Sequence, residues 1–348
     1  MLDGVPSTRG ACHSGWRIHM THHDARIIAF TIVITAWSAP TRAQQPDAEG
    51  ANAVLPWAYV LNDPTSGNAQ ADDPAEVVTV PGSSVSMPRS AISIAAGPPD
   101  WHPDGHPPMP ELVAKGGGDG VAACGYCHLP NGQGKPENAS VAGQPYAYIV
   151  QQMADWRNGL RKTGEPRMGP PSFMQRIGLA ATDEQARVAA EYFSSMDYKP
   201  WVRVVETDMV PKTHFAGWIH QVIEGGGTEP IGTRIVETPE DLHLTHLRDD
   251  ASSFVAYVPT GAVARGERLA TGNGKTEACA VCHGPGLRGL GPVPALAGRS
   301  PSYIARQLYD LQTGVRNGTW SDLMDATVSD LTTEDIVNLA AYTASLAP

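Results

Sequence analysis

The sequence predicts a mainly α-helical protein with two tandem helical modules, a segment of short β-strands between them and an irregular extension before them. Three observations support this fold class. Residues 124–161 recur 155 positions later with 13 identities in 38 positions. Apolar residues inside the repeat follow helical spacing, and β-branched and aromatic runs separate the two copies. A repeat of this length indicates that a whole folding unit was duplicated.

Composition narrows the classes of partner. The chain has 348 residues, enough for two or three domains, and its 36 Gly and 30 Pro residues predict long irregular segments. Only 18% of residues are charged, and the formal net charge is −11. This acidic balance argues against nucleic acid and against a polybasic membrane surface as partners.

The first 43 residues are typical of an export leader. Arg26 precedes an apolar run at residues 27–37, and small residues lead to a predicted cleavage site after Ala43. Met20 is an alternative translation start within this leader. The apolar run is too short for a good membrane span, although an uncleaved N-terminal anchor is the alternative. We therefore expect an exported protein with no membrane span after cleavage.

Each repeat begins with a Cys-x-x-Cys-His motif, the attachment signature of c-type haem. The motif residues are Cys124, Cys127, His128, Cys279, Cys282 and His283. Two thiols one helical turn apart can form thioethers with one porphyrin, and the adjacent histidine can ligate its iron. A zinc knuckle, disulfide or redox pair does not require that histidine, and the pairs are too far apart for a zinc ribbon. The sequence therefore predicts two covalently bound haem c groups. The fifth cysteine, Cys12, falls in the leader.

These landmarks divide the remainder into four parts. Residues 44–107 form the extension, which we expect to lie on the surface with one strand at 76–80. Residues 108–198 form the first module and residues 261–348 the second. Residues 199–260 form a connector with two to four short strands, at 201–205, 233–237 and 254–259, that packs between the modules. His102 and His106 in the extension are expected to be exposed loop residues, with ligation as the alternative.

Helical signals place the elements of each module. In the first module we expect a helix at 110–115, a loop before the last helix, and a last helix from Thr182 to about residue 196. Gln185 follows Thr182 by three positions, which is typical of a capping box. One face of the long central helix is expected to carry Ile149, Met153, Trp156 and Leu160. The second module repeats that face at Ile304, Leu308, Leu311 and Val315.

A methionine in each module would close the sixth iron position and raise the potential of the haem. Met324 lies eight residues before Thr332, which opens the last helix of the second module, and Met174 lies eight residues before Thr182. We favour this pair because loops vary in length more than the elements they connect. Met168 is the competitor, since its distance from the preceding motif is closer to that of Met324.

The repeated motifs resemble the two-domain dihaem class I cytochromes c of bacteria. The shared segments are AGQPYAYIVQQM and AGRSPSYIARQL, followed by ATDEQA and LTTEDI, and the resemblance covers residues 111–196 and 263–346. It implies two cytochrome c domains, electron transfer in the periplasm and delivery to an oxidase or reductase. It also implies a proline carbonyl that accepts from each proximal imidazole, for which Pro292 fits and Pro136 is a looser match.

The leading hypothesis for function is a periplasmic electron carrier, not an enzyme, that docks on a basic face of a redox partner. One alternative is the electron-exit subunit of a dehydrogenase or oxidase. A dihaem peroxidase is the other alternative, and the repeated methionine register argues against it.

Overall fold

The N-terminal extension is partly buried in the core. The computed structural model describes residues 55–63, 73–118, 120–272 and 275–348, so the predicted leader lies outside the described residues. Leu55, Trp57 and Tyr59 are at most 8% exposed and join an apolar core with helices of the second module. The expected surface position is therefore wrong for this part, because these large apolar side chains gain more from burial. Further on, β1 (Val77–Val78) and β2 (Met87–Pro88) form a short antiparallel pair.

The first module contains five helices. They are α1 (Glu111–Ala114), α2 (Cys124–His128), α3 (Tyr146–Arg157), α4 (Gly169–Ala180) and α5 (Asp183–Ser194). On α3, Ile149 and Trp156 are buried as predicted. Leu160 is 40% exposed because the helix ends at Arg157, three residues earlier than the apolar pattern indicated. The capping box of α5 is confirmed, since the backbones and side chains of Thr182 and Gln185 exchange hydrogen bonds.

Helix α4 replaces the loop expected before the last helix. Its first turn contains Pro170 and Pro171, whose fixed φ suits the start of a helix, where no internal N–H partner is required. These prolines and the flanking glycine made the sequence look like a loop. The consequence is functional, because α4 carries Met174 on a regular element.

The connector holds more strands than expected. Seven strands occur within residues 199–260: β3 (Val202–Glu206), β4 (Met209–Pro211), β5 (Thr213–Ala216), β6 (Ile219–Val222), β7 (Thr228–Pro230), β8 (Val236–Pro239) and β9 (Phe254–Val258). In the main sheet β9 is central, parallel to β3 and antiparallel to β8. β4 pairs with β7, β5 pairs with β6, and α6 (Leu242–His246) links β8 to β9. The short polar strands at 209–230 lack the apolar runs that indicated the others.

The second module repeats the five-helix order. Its helices are α7 (Ala262–Ala270), α8 (Ala280–His283), α9 (Pro301–Gln312), α10 (Ser321–Val328) and α11 (Thr333–Ser345). The connector contacts both modules: β3 packs on α11, and the indole N–H of Trp201 donates to Gly134 O at 3.0 Å. Within the described part of the chain, no helix combines the length and apolar character needed to cross a bilayer.

Candidate haem sites

Both motifs lie on short helices, α2 and α8, that border one cavity of about 630 Å³. All eight predicted site residues are among its lining: Cys124, Cys127, His128, Met174, Cys279, Cys282, His283 and Met324. Burial lowers the pKa of His128 and of His283, so each imidazole is neutral at pH 7. The neutral imidazole is the form that ligates a metal.

A backbone carbonyl orients each histidine. The Nδ1 atom of His128 lies 2.8 Å from Ala139 O, and Nδ1 of His283 lies 2.8 Å from Pro294 O. The two acceptors occupy equivalent positions in the repeat. With the N–H on Nδ1 donating to a carbonyl, Nε2 keeps its lone pair for a metal, and the ring orientation is fixed.

The proline acceptors implied by the family resemblance are wrong. Pro292 lines the cavity, but the imidazole bonds to the carbonyl of Pro294, two residues later. In the first module Pro136 O accepts instead from Arg306 at 2.5 Å. Local sequence could not distinguish neighbouring carbonyls, because the loop path decides which one faces the ring.

The methionines separate into two environments. Met174 on α4 and Met324 on α10 are half-buried and line the cavity. Met168 is 0% exposed and packs in the core that contains the extension and the second module, outside the cavity lining. Met153 also lines the cavity, but the equivalent position in the second module is Leu308, which cannot ligate iron.

The histidines of the extension lie outside this cavity lining. The sequence suggested that both are exposed loop residues, and the structure contradicts this expectation. The His106 side chain is 1% exposed, and its Nε2 lies 3.2 Å from Asp100 Oδ1. His102 is 22% exposed and contacts Asp249 at 3.0 Å.

Arginines join the two modules across the cavity in a pseudo-twofold pattern. Arg161 of the first module donates to the Tyr303 hydroxyl at 2.8 Å, and the equivalent Arg316 donates to the Tyr148 hydroxyl at 3.1 Å. Both guanidinium groups also donate to Gln152 Oε1, at 2.8 and 3.0 Å. The haem motifs do not indicate this contact, although the repeat contains a signal for it. These polar residues are identical in the two repeats without belonging to the haem motif.

Two further buried arginines indicate that the cavity suits an anionic ligand. Arg299 and Arg306 line it, and burial lowers the pKa of both. Arg299 donates to Ser140 O and Ala142 O, yet its Nε is buried without a hydrogen-bond partner. A buried unpaired cationic donor is costly. Haem carries two carboxylates that could accept from such a donor, so the polar residues and the Cys, His and Met donors all fit haem.

Comparisons with known proteins find several cytochromes among the relatives of this chain. Residues 261–342 match the family model described as cytochrome C oxidase, cbb3-type, subunit III. Cytochrome c-554(548) of Halomonas halodenitrificans is 36% identical over 77 residues, which cover 22% of this chain and 93% of that protein. Cytochrome c4 of Pseudomonas aeruginosa is 24% identical over 228 residues, covering 64% of this chain and 83% of that protein.

Another relative is named for its redox partner. The thiosulfate dehydrogenase electron acceptor of Thiomonas intermedia is 40% identical over 110 residues, covering 28% of this chain. The match spans about half of that protein, 48% of its length. The duplicated haem-binding motif, the matching five-helix modules and these relatives lead to one conclusion. The chain belongs to the c-type cytochromes, as a two-domain member that binds two covalently attached haems.

Proposed function

We propose that this protein carries single electrons in the periplasm through two haems, each held by one histidine and one methionine. The pairs are His128 with Met174 and His283 with Met324. One observation carries the proposal: each module presents to the cavity an imidazole anchored through Nδ1 and a thioether on a separate helix. A bound haem supplies a one-electron iron couple, and thioether ligation favours its reduced form.

The chain's own residues would control the environment of that couple. The carbonyls of Ala139 and Pro294 hold the imidazoles in one orientation, and buried apolar side chains exclude water. Arg299 and Arg306 supply buried positive charge at the cavity lining, which would attract the haem carboxylates. These roles require neither a nucleophile nor a general base, and they suit transfer of an electron.

Carbon monoxide tests this proposal against the peroxidase alternative. If both sixth positions are closed by methionine, the reduced protein should not bind carbon monoxide at either iron, and the oxidised protein should show two low-spin haems. Rapid carbon monoxide binding by the unmodified protein, or fast oxidation of the reduced protein by peroxide, would contradict the paired ligands. Either result would favour a dihaem peroxidase.

The two haem sites differ in their access to a partner. Around the second site, Val281, Trp320 and Leu323 line the cavity and are 70%, 56% and 69% exposed. In the first module the residue equivalent to Val281 is Tyr126. Its ring is covered by Arg248, whose Cζ lies 3.6 Å from the ring centroid. Exposed apolar side chains at a site entrance favour docking, so we propose that electrons pass to or from partners at the second module.

The charge near this patch favours a basic partner face. Glu277 and Asp322 are exposed beside it, and the chain as a whole has a net charge of −11. Leu323→Lys should therefore slow electron exchange with a basic cytochrome or oxidase, and the loss should persist at high salt. Leu179→Lys is the matched control, because Leu179 is 62% exposed on the first module. Equal slowing by both variants would contradict docking at the second module.

The second candidate function is the electron-exit subunit of a dehydrogenase. It is favoured by the relative named as a thiosulfate dehydrogenase electron acceptor. Purification of the tagged protein from its native periplasm distinguishes the two functions. A stable complex with one dehydrogenase chain per cytochrome would support a subunit, and recovery of the cytochrome alone would support a free carrier.

A further inference from the structure

Three side chains that commonly bind metals meet away from the haem cavity, where the N-terminal extension crosses the connector. They are His102 from the extension and Asp249 and Asp250 from the segment between α6 and β9. His102 Nε2 lies 3.0 Å from Asp249 Oδ1 and 3.9 Å from Asp250 Oδ1. The three ligand atoms all lie within 4.8 Å of one another.

The burial of this cluster leaves one carboxylate oxygen without a partner. The Asp249 and Asp250 side chains are only 4% and 2% exposed. Oδ1 of Asp250 has no hydrogen-bond partner, although it faces His102. The imidazole can donate from Nε2 to one carboxylate only, and Asp249 is the one at hydrogen-bond distance. Asp249 Oδ1 also accepts from the backbone N–H of Ala251 at 3.0 Å, so the uncompensated negative charge lies on Asp250, which is unfavourable for a buried carboxylate.

We propose that His102, Asp249 and Asp250 bind a divalent transition-metal cation, with Zn²⁺ as the best fit. Imidazole nitrogen and carboxylate oxygen are ordinary zinc ligands at about 2.0–2.2 Å, which places neighbouring tetrahedral ligand atoms roughly 3.3 Å apart. The separations from His102 Nε2, 3.0 and 3.9 Å, bracket that spacing, and the two carboxylate oxygens lie within 4.8 Å of each other. Water would complete the fourth position. The site is distinct from both haem sites, because none of the three residues belongs to the haem cavity lining.

The cation would fix the cover over the first haem motif. Asp249 directly follows Arg248, whose guanidinium stacks on Tyr126 and donates to Tyr126 O at 2.6 Å. The backbone carbonyl of Asp250 accepts from Asn131 Nδ2 at 2.6 Å. A metal bound to these neighbours would therefore tie the extension to the connector and hold both against the loop around the first haem. Its role would be structural.

Zinc binding to the fully haem-loaded protein tests the inference. The protein is treated with a chelator and dialysed against Zn²⁺, and zinc is counted against haem iron by mass spectrometry. We expect one zinc per two irons in the wild type. Asp250→Asn and His102→Ala should each weaken binding at least tenfold, whereas Asp104→Asn, an exposed acid on the same segment, should bind as the wild type does.

Two outcomes would overturn the proposal. Absence of stoichiometric zinc in the wild type would show that the cluster holds only a His102–Asp249 ion pair. Unchanged binding in both ligand variants would place the zinc elsewhere. The haem absorption spectrum reports whether each variant is folded, and the wild-type count does not depend on any variant. The carbon monoxide experiment tests the methionine ligands of the haems separately. Failure of the zinc proposal would therefore leave the proposed electron-transfer function intact, and the reverse also holds.

Discussion

Met168 and Met174 offer the sharpest test of the first haem site, because their substitutions should affect different properties. Met168 is 0% exposed in the core that unites the extension with the second module. Removing its side chain beyond Cβ should therefore cost about 2–5 kcal/mol of the free energy of unfolding, and full burial favours a value of about 3 kcal/mol or more. That loss lowers the folded-to-unfolded ratio roughly a hundredfold. Met168→Ala should nevertheless keep the methionine–iron charge-transfer band of both haems.

Met174→Ala should have the opposite effect. Met174 lies at the cavity as the proposed ligand of one of the two irons. We therefore expect the charge-transfer band to fall by half and carbon monoxide to bind at that iron. The first haem should also become easier to oxidise, because the thioether no longer favours its reduced form. Denaturant unfolding and optical spectra measure both properties on the same samples. Met168→Leu is the control for volume, with an expected cost below about 1.5 kcal/mol. Loss of the band in Met168→Ala but not in Met174→Ala would refute the assignment.

Three further predictions concern other parts of the molecule. Met324→Ala should open the second iron to carbon monoxide and lower its potential, as measured by carbon monoxide difference spectra and redox titration; an unchanged potential would exclude Met324 as a ligand. Arg161→Met should destabilise the protein by about 1–3 kcal/mol because it leaves the Tyr303 hydroxyl without its inter-module donor, whereas the exposed Arg268→Met should change stability little. Equal effects of the two substitutions in denaturant unfolding would contradict the inter-module role. Burial lowers the pKa of His220 from 6.5 to about 4, so the unfolded chain binds the extra proton first as the pH falls. Its contribution to stability should be present above pH 6.5 and decline by up to roughly 3 kcal/mol towards pH 4, relative to His220→Asn, and parallel pH profiles of the two proteins would count against it.

Much of the fold could be predicted because its signals are local or repeated. Cys-x-x-Cys-His requires only that two thiols lie one helical turn apart beside an imidazole, and both copies of the motif form helices, α2 and α8. Helix α5 begins at its capping box, as the spacing of Thr182 and Gln185 indicated. The strands at β3, β8 and β9 lie near the apolar runs that predicted them. Such features depend on neighbours within a few residues, so the sequence alone contains their physical cause.

Helix α4 shows where that local information was insufficient. Its glycine and prolines are typical of a loop, but the same prolines start a helix once the preceding chain is held in place. The burial of Tyr59 could not be predicted from local sequence either, because its hydroxyl bonds to Asp310, 251 positions away. In an irregular extension, the neighbouring residues do not indicate which distant side chain a tyrosine will contact.

The sequence by itself determined that there are two modules, where their haem-binding motifs begin and which methionines repeat in register. Only the tertiary structure decided which carbonyl orients each histidine, that Met168 is a core residue, and that Arg248 covers one motif while Val281 stays exposed at the other. The physical reason is distance along the chain. Spacing fixes what a helix presents on its own surface, whereas burial and hydrogen-bond partners depend on segments that meet only after the chain has folded.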